Sequence, residues 1–505
     1  LLIFRSTIKT VAPALMVLAL SMSAFGQITI TINPAKTYQT IDNFAASDAW
    51  ACQFVGNWPD AKKNKIADLL FSNGTDADGS PKGIGLSMWR FNIGAGSTEQ
   101  GIASGIKDEW RRAESFLNAD GSYDWKKQAG QVWFLKAAKT RGVQKFLGFT
   151  NSPPVKFTID GQAYASLGKV NIAPNHYDDF ASYLTTVIKG IEKISKVKFD
   201  YISPVNEPQW DWSDGGQEGC PYTNAEIAGV VKAINKTFVR DNIDSKIIIG
   251  EAGAIDYLYL KSDKPGKGYQ VDDFFKPTST NYIGNLANVA HTITAHSYFT
   301  TSPMKSSIKD RTALADCVAK INGLNFWESE YCILGDNSGD IDGNRRDLGM
   351  DAALYLASVI HNDLAVANAS AWQWWTAISA YDYKDGLIYV DKNKTDGNFY
   401  ASKMLWVLGN YSRFIRPGAV RIAVSSSADN RVLISAYKKD RNVVLVIVNP
   451  ETNNLDIDLN TGSAFKLKYD KMYVTSSTAD LKAEKISAGK IMVPGRSVVT
   501  IVGRL

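Results

Sequence analysis

Histidine and cysteine are scarce, with four of each among 505 residues. His176, His291, His296 and His361 never form a His-x-x-x-His pair, and Cys52, Cys220, Cys317 and Cys332 lack the short paired spacings of a zinc site. No metal and no other cofactor is therefore expected. In an oxidising compartment four cysteines allow three disulfide pairings and the spacing selects none, so buried free thiols are the simpler expectation. No phosphate-cradling glycine loop follows the first predicted strand, which argues against a nucleotide-binding doubly wound sheet. The net charge is only +5 and the basic residues are spread rather than striped, which argues against a nucleic-acid partner. Long apolar runs are also missing, with one exception. After Arg5 and Lys9 comes VAPALMVLALSMSAFG, which reads as a signal peptide over residues 1–26, with the mature chain starting near Gln27. Its removal lowers the charge to about +3. The product is expected to be secreted, periplasmic or extracellular, monomeric, and without a membrane partner once cleaved.

What remains is 45% hydrophobic and 21% charged, a composition able to bury a large core. ITITINP alternates like a half-exposed strand, and residues 27–40 are assigned to a β-sandwich. Over residues 41–412 strands and helices then alternate. The strands are TIDNFAASDAW, GIGLSMWRFNIG, VQKFLGFTNSPP, Phe199 to Val205, SKIIIGEAG, TITAHSYF, LNFWESEY and ASAWQWW. Helices include one with Phe180, Tyr183, Leu184, Val187, Ile188 and Ile191 on one face, one over Thr223 to Val239, one over Thr312 to Ile321 and a last one around Phe399 to Leu408. Eight near-continuous apolar strands separated by helices predict an α/β fold, a (β/α)8 TIM barrel. From residue 413 to 505 only short strands and polar turns follow, which predicts an antiparallel β-sandwich packed on the barrel's side and completed by the first strand.

In such a barrel, chemistry belongs at the C-terminal ends of the strands. Glu207, in YISPVNEPQWDW, ends the fourth strand and Glu330, in FWESEY, ends the seventh. Two carboxyl groups facing each other across one mouth, with aromatics around them, suit glycosidic bond cleavage: one protonates the leaving group and the other stabilises or captures the sugar cation. Glu328 is a rival nucleophile, because strict alternation puts 328 and 330 on one face with 328 deeper. Glu251, ending the fifth strand, reads as a supporting group. Arg90 would orient and ionise the nucleophile. Among Trp372, Trp374 and Trp375, Trp374 is assigned as the platform under the sugar. Trp50, Trp58, Trp210 and Trp212 lie in loops of the first and fourth strands.

The ordered set FAASDAW, WRFNIG, TNSPP, NEP, HSY, SEY, WQWW and YSRFIRPGA resembles the retaining β-glycosidases of glycoside hydrolase family 30 across nearly the whole mature chain. The resemblance implies Glu207 as acid and base, Glu330 as nucleophile, and a glycosyl-enzyme intermediate. It further implies that Asp48, Arg90, Asn206, Tyr298 and an eighth-strand tryptophan line the subsite of the cleaved sugar. Trp50, Asn151 and Trp210 are assigned around it from their strand-end loops, and His296 as a supporting residue because it shares the face of Tyr298. The family commonly carries a tryptophan after the third strand, where TNSPPVKF has none. Together with VNEPQWDW and QEGC, this places the chain nearest the endo-β-1,6-galactanase branch, acting on a polysaccharide or oligosaccharide. A β-1,6-glucanase, a xylan-active enzyme, an exo-β-glycosidase and an inactive sugar-binding barrel remain as alternatives.

Overall fold

The computed structural model describes residues 27–428, 432–460, 467–486 and 491–505. The predicted signal peptide lies outside them. After β1 (Ile28–Thr40), eight strands follow: β2 (Asn43–Ser47), β3 (Met88–Asn92), β4 (Lys145–Phe149), β5 (Tyr201–Ser203), β6 (Lys246–Ala252), β7 (Val289–His296), β8 (Asn325–Tyr331) and β9 (Ala371–Ser379). Each pairs in parallel with the next, and β9 pairs with β2, so the ring closes as the eightfold alternation predicts. Every residue of β2, β3 and β9 is buried, because helices cover the outer face and side chains fill the inner one.

The predicted face of helix Tyr177–Ser195 is buried. Helix Asn224–Arg240 begins with a capping box between Thr223 and Glu226. Two assigned helices shift, and a third helix has no counterpart in the sequence reading. Between β6 and β7 the covering helix is only Gln270–Phe275, too short to show a helical period. The helix expected over Thr312 to Ile321 is Met304–Val318; its first turns are polar and carry little apolar pattern. Phe399–Ala401 is strand β11, antiparallel to β10 (Gly386–Val390), and the last barrel helix is Lys403–Ser412, capped by Ser402.

The remaining strands are β12 (Val420–Ser426), β13 (Leu433–Lys439), β14 (Asn442–Asn449), β15 (Leu455–Asn460), β16 (Lys468–Ser476), β17 (Ala479–Lys485), β18 (Ile491–Val493) and β19 (Ser497–Arg504). With β1 they form one nine-stranded sheet, in the order β17-β16-β19-β14-β13-β12-β1-β15-β18. It folds over a core that includes Ile30, Ile32, Ile422, Leu445, Ile447, Ile457 and Val499. β1 runs antiparallel to β12 but parallel to β15. The sandwich docks on helix Lys403–Ser412, where Asn410 Nδ2 donates to Thr500 Oγ1 at 3.0 Å and Thr500 Oγ1 donates to Asn410 O at 2.7 Å. Among the described residues no helix is long and apolar enough to cross a membrane.

Candidate active site

The chain leaves β5 through Pro204 and turns at Glu207, whose backbone is left-handed at φ 42. The Glu207 N–H donates to Glu251 O at 2.8 Å, which pins this bend against the end of β6. Across the mouth, β8 carries a bulge. Ala295 pairs with Glu328 and His296 with Glu330, so Ser329 has no partner in the ladder. Ser329 and Glu330 therefore both turn inward, while Glu328 turns out to the helix layer and accepts from Ser297 Oγ at 2.7 Å, beside Asp363 and Arg311. The expectation that Glu328 shares the face of Glu330 fails because alternation does not survive a bulge.

Glu330 Oε2 accepts from Arg90 Nη1 at 3.2 Å and Glu330 Oε1 from Tyr298 Oη at 3.2 Å. The His296 ring bridges two acids, with Nδ1 2.9 Å from Glu207 Oε1 and Nε2 3.0 Å from Glu251 Oε2. Glu207, His296 and Glu330 present atoms that all lie within 4.8 Å of one another. One oxygen of each predicted catalytic carboxyl group is thus that close to the other. The three are spaced to grip a cation, but Arg90 already sits on Glu330 and both imidazole nitrogens face carboxylates, so the protein itself supplies the positive charge.

Burial would lower the His296 pKa, but the charges and hydrogen bonds of Glu330, Glu207 and Glu251 override it and push it well above the ordinary imidazole value. Glu251 is opposite. Burial alone would raise it, yet the His296 hydrogen bond, the Arg90 charge and the Ser329 hydroxyl hold it below the usual carboxylate range. For Glu330 burial wins over His296 and Arg90, and its pKa is pushed up to about 7. Three acids against two cations leave the site one proton short of neutrality, which favours retaining a proton near neutral pH.

The predicted sugar-binding residues converge on the same mouth from β2 to β5. Asp48 Oδ1 accepts from Asn92 N at 2.7 Å and Gln131 Nε2 at 3.1 Å, while burial raises its pKa to about 8. Asp48 Oδ2, Trp50 Nε1, both amide atoms of Asn151 and Asn206 Oδ1 are buried without a protein partner. So are Ser152 Oγ and the Asn92 amide, two residues passed over in the sequence. Asn92 was recoverable, since it stands two residues from Arg90 on one strand.

Trp374 is not placed as expected. It is fully buried, its indole donates to Asp385 O at 2.7 Å, and it packs on Trp372 and Tyr331. Trp375 faces the mouth instead, 5.2 Å edge-on from Trp50 and 6.4 Å from Phe149, which in turn lies under Arg90. Both faces of a parallel barrel strand are apolar, so aromatic content alone does not tell inside from outside. Trp210 is half-buried, edge-on to Tyr257 and Phe299. Trp58 is fully buried, and the indole N–H of Trp212 donates to Glu207 O at 3.0 Å, so both brace loops. All four cysteines are unpaired.

Known proteins share this arrangement of domains. Residues 27–389 match O-glycosyl hydrolase family 30, and residues 418–501 match the glycosyl hydrolase family 30 beta sandwich domain. An endo-beta-1,6-galactanase of Hypocrea rufa is 23% identical over 456 residues, covering 87% of this chain and 85% of the relative. The crystal structure of a conserved exported protein from Bacteroides fragilis is 35% identical with a TM-score of 0.87, covering 94% of this chain and all of that one. An endo-beta1,6-glucanase structure, 18% identical and covering 94% of each chain, shares the fold at a TM-score of 0.65. With matched segments spanning both barrel and sandwich, the chain belongs to glycoside hydrolase family 30 and is a glycoside hydrolase.

Proposed function

We propose that this protein is an exported, monomeric, retaining endo-β-1,6-galactanase. The observation that carries retention is the approach of Glu207 and Glu330 oxygens to within 4.8 Å. Retaining pairs stand about 5 to 5.5 Å apart, whereas an inverting pair needs roughly 6.5 to 9.5 Å to admit a water. In the first step the Glu330 carboxylate attacks the anomeric carbon while the Glu207 carboxyl group gives its proton to the leaving oxygen. In the second, Glu207 takes a proton from water, the oxygen of which attacks the same carbon and releases Glu330. Arg90 and Tyr298 each hold one oxygen of Glu330 and so fix the carboxylate, and His296 keeps Glu207 in place between proton transfers.

The assignment to β-1,6-galactan rests on the likeness to the Hypocrea rufa enzyme over most of both chains, and on VNEPQWDW and QEGC. Product analysis on β-1,6-galactan, β-1,6-glucan and glucuronoxylan, with NMR of the first anomer released, tests all parts together. Short galactan oligosaccharides of β configuration are expected. Single sugars released from chain ends would overturn endo action, an α anomer would overturn retention, and preference for either other polymer would overturn the substrate.

A further inference from the structure

The mouth is chemically lopsided. Six residues with buried polar atoms that lack protein partners, Asp48, Trp50, Asn92, Asn151, Ser152 and Asn206, belong to β2 through β5 and the loops after them, against Asp256 and Tyr259 in the loop after β6 and Asp385 after β9. The loops after β5, β6 and β7 instead bring up Trp210, Tyr257 and Phe299. Trp210 lies close against Gly253, where an added Cβ would stand 2.5 Å from its Nε1. Tyr257 meets it edge-on at 6.2 Å and Phe299 at 6.0 Å on a perpendicular plane. Phe299 directly follows Tyr298, whose hydroxyl is on Glu330, yet it is 62% exposed and held in the left-handed backbone region at φ 61. Packing does not account for an aromatic ring so exposed at a position whose backbone favours glycine.

Resting on the galactanase reading proposed above, we infer that Phe299, backed by Trp210, is the platform for the sugar on the leaving-group side of the scissile bond. A ring about to become covalently bound needs its hydroxyls gripped, which suits the side rich in unpaired donors and acceptors. The leaving sugar must lie beside the acid that protonates its oxygen. Glu207 is that acid, and the loop it opens carries Trp210. An exposed aromatic face covers the apolar face of a sugar without fixing its hydroxyls, as a subsite that releases its occupant after every cleavage requires.

The inference is tested with Phe299→Ala and Phe299→Tyr. Two substrates share one glycone: β-1,6-galactan, which leaves as a sugar, and β-1,6-galactobiosyl fluoride, which leaves as an ion. The expected result is a loss of kcat/KM for Phe299→Ala that is about tenfold larger on the polymer than on the fluoride. Transfer of the glycosyl group to an added galactobiose acceptor, relative to water, should fall in parallel, and Phe299→Tyr should restore both. Equal losses on the two substrates, or an unchanged transfer ratio, would overturn the platform. A wild-type enzyme inert toward the fluoride would count instead against the proposed galactan substrate, so the two failures are distinguishable.

Discussion

Glu251 is almost wholly buried and accepts from Ser203 Oγ at 3.1 Å, Ser329 Oγ at 2.8 Å and His296 Nε2 at 3.0 Å, while its carbonyl holds the Glu207 N–H. In the proposed mechanism it is a positioning residue that stabilises the charged imidazole. Glu251→Gln should lower kcat on a sugar leaving group by about 10²-fold, with KM little changed and a much smaller loss on a glycosyl fluoride, which needs no proton. Removing one anion lowers the proton affinity of its neighbours, so the basic limb of the kcat profile should move to lower pH; an unmoved limb would make the residue merely structural. The buried acids also link stability to pH. Asp48, Glu218 and Glu330 have pKa values pushed up to about 8, 7 and 7, chiefly by burial. Between the unfolded value near 4 and these values the folded state binds more protons, so stability falls as pH rises. Thermal melts should accordingly give a Tm that climbs as pH is lowered from 8 to 6, with a flatter slope in Asp48→Asn. That the two glutamates and Arg90 meet at one mouth was legible because such chemistry dictates residue type and strand end. Proton sharing through His296 was not, because β6 and β7 pair directly but with register shifts, and which acids the two ring nitrogens reach depends on that register.

Elements explain where the reading by alternation held and where it broke. Period-two logic assigns Trp374 and Trp375 correctly to opposite faces of β9, but not which face is inside, because both are buried in a parallel barrel. Trp374→Ala should therefore cost about 3 to 5 kcal/mol of stability in denaturant melts, with the remaining folded enzyme active. Trp375→Ala should cost less stability and more of kcat/KM, since its ring borders Trp50 and Phe149 at the mouth. The reverse pattern would restore the original assignment. In β8 the bulge at Ser329 brings two consecutive side chains inward, and nothing in WESEY marks which residue leaves the ladder. The six-residue helix Gln270–Phe275 was invisible for a related reason: it is too short for a period.

For the molecule as a whole, the sandwich is more than an appendage. β1 precedes the barrel yet lies between β12 and β15, and buried sandwich residues such as Tyr437, Val446, Leu481 and Val498 share the barrel's core. The alternation of ITITIN and the change of texture from residue 413 onward made this architecture readable, since each domain type has its own period. Calorimetry of the mature chain should show one cooperative transition, and Asn410→Ala, which breaks the link to Thr500, should lower it without splitting it. Two separate transitions would mean that the domains are only tethered. The central claim is that Glu330 bonds covalently to the sugar while Glu207 handles the proton. Its most direct measurement is peptide mass mapping after reaction with an activated 2-deoxy-2-fluoro glycoside of the released sugar, which slows both steps but leaves the second rate-limiting. The account predicts one glycosyl adduct per chain, on Glu330; an adduct on Glu328, Glu251 or Glu207, or turnover with no adduct and an inverted product, would contradict it.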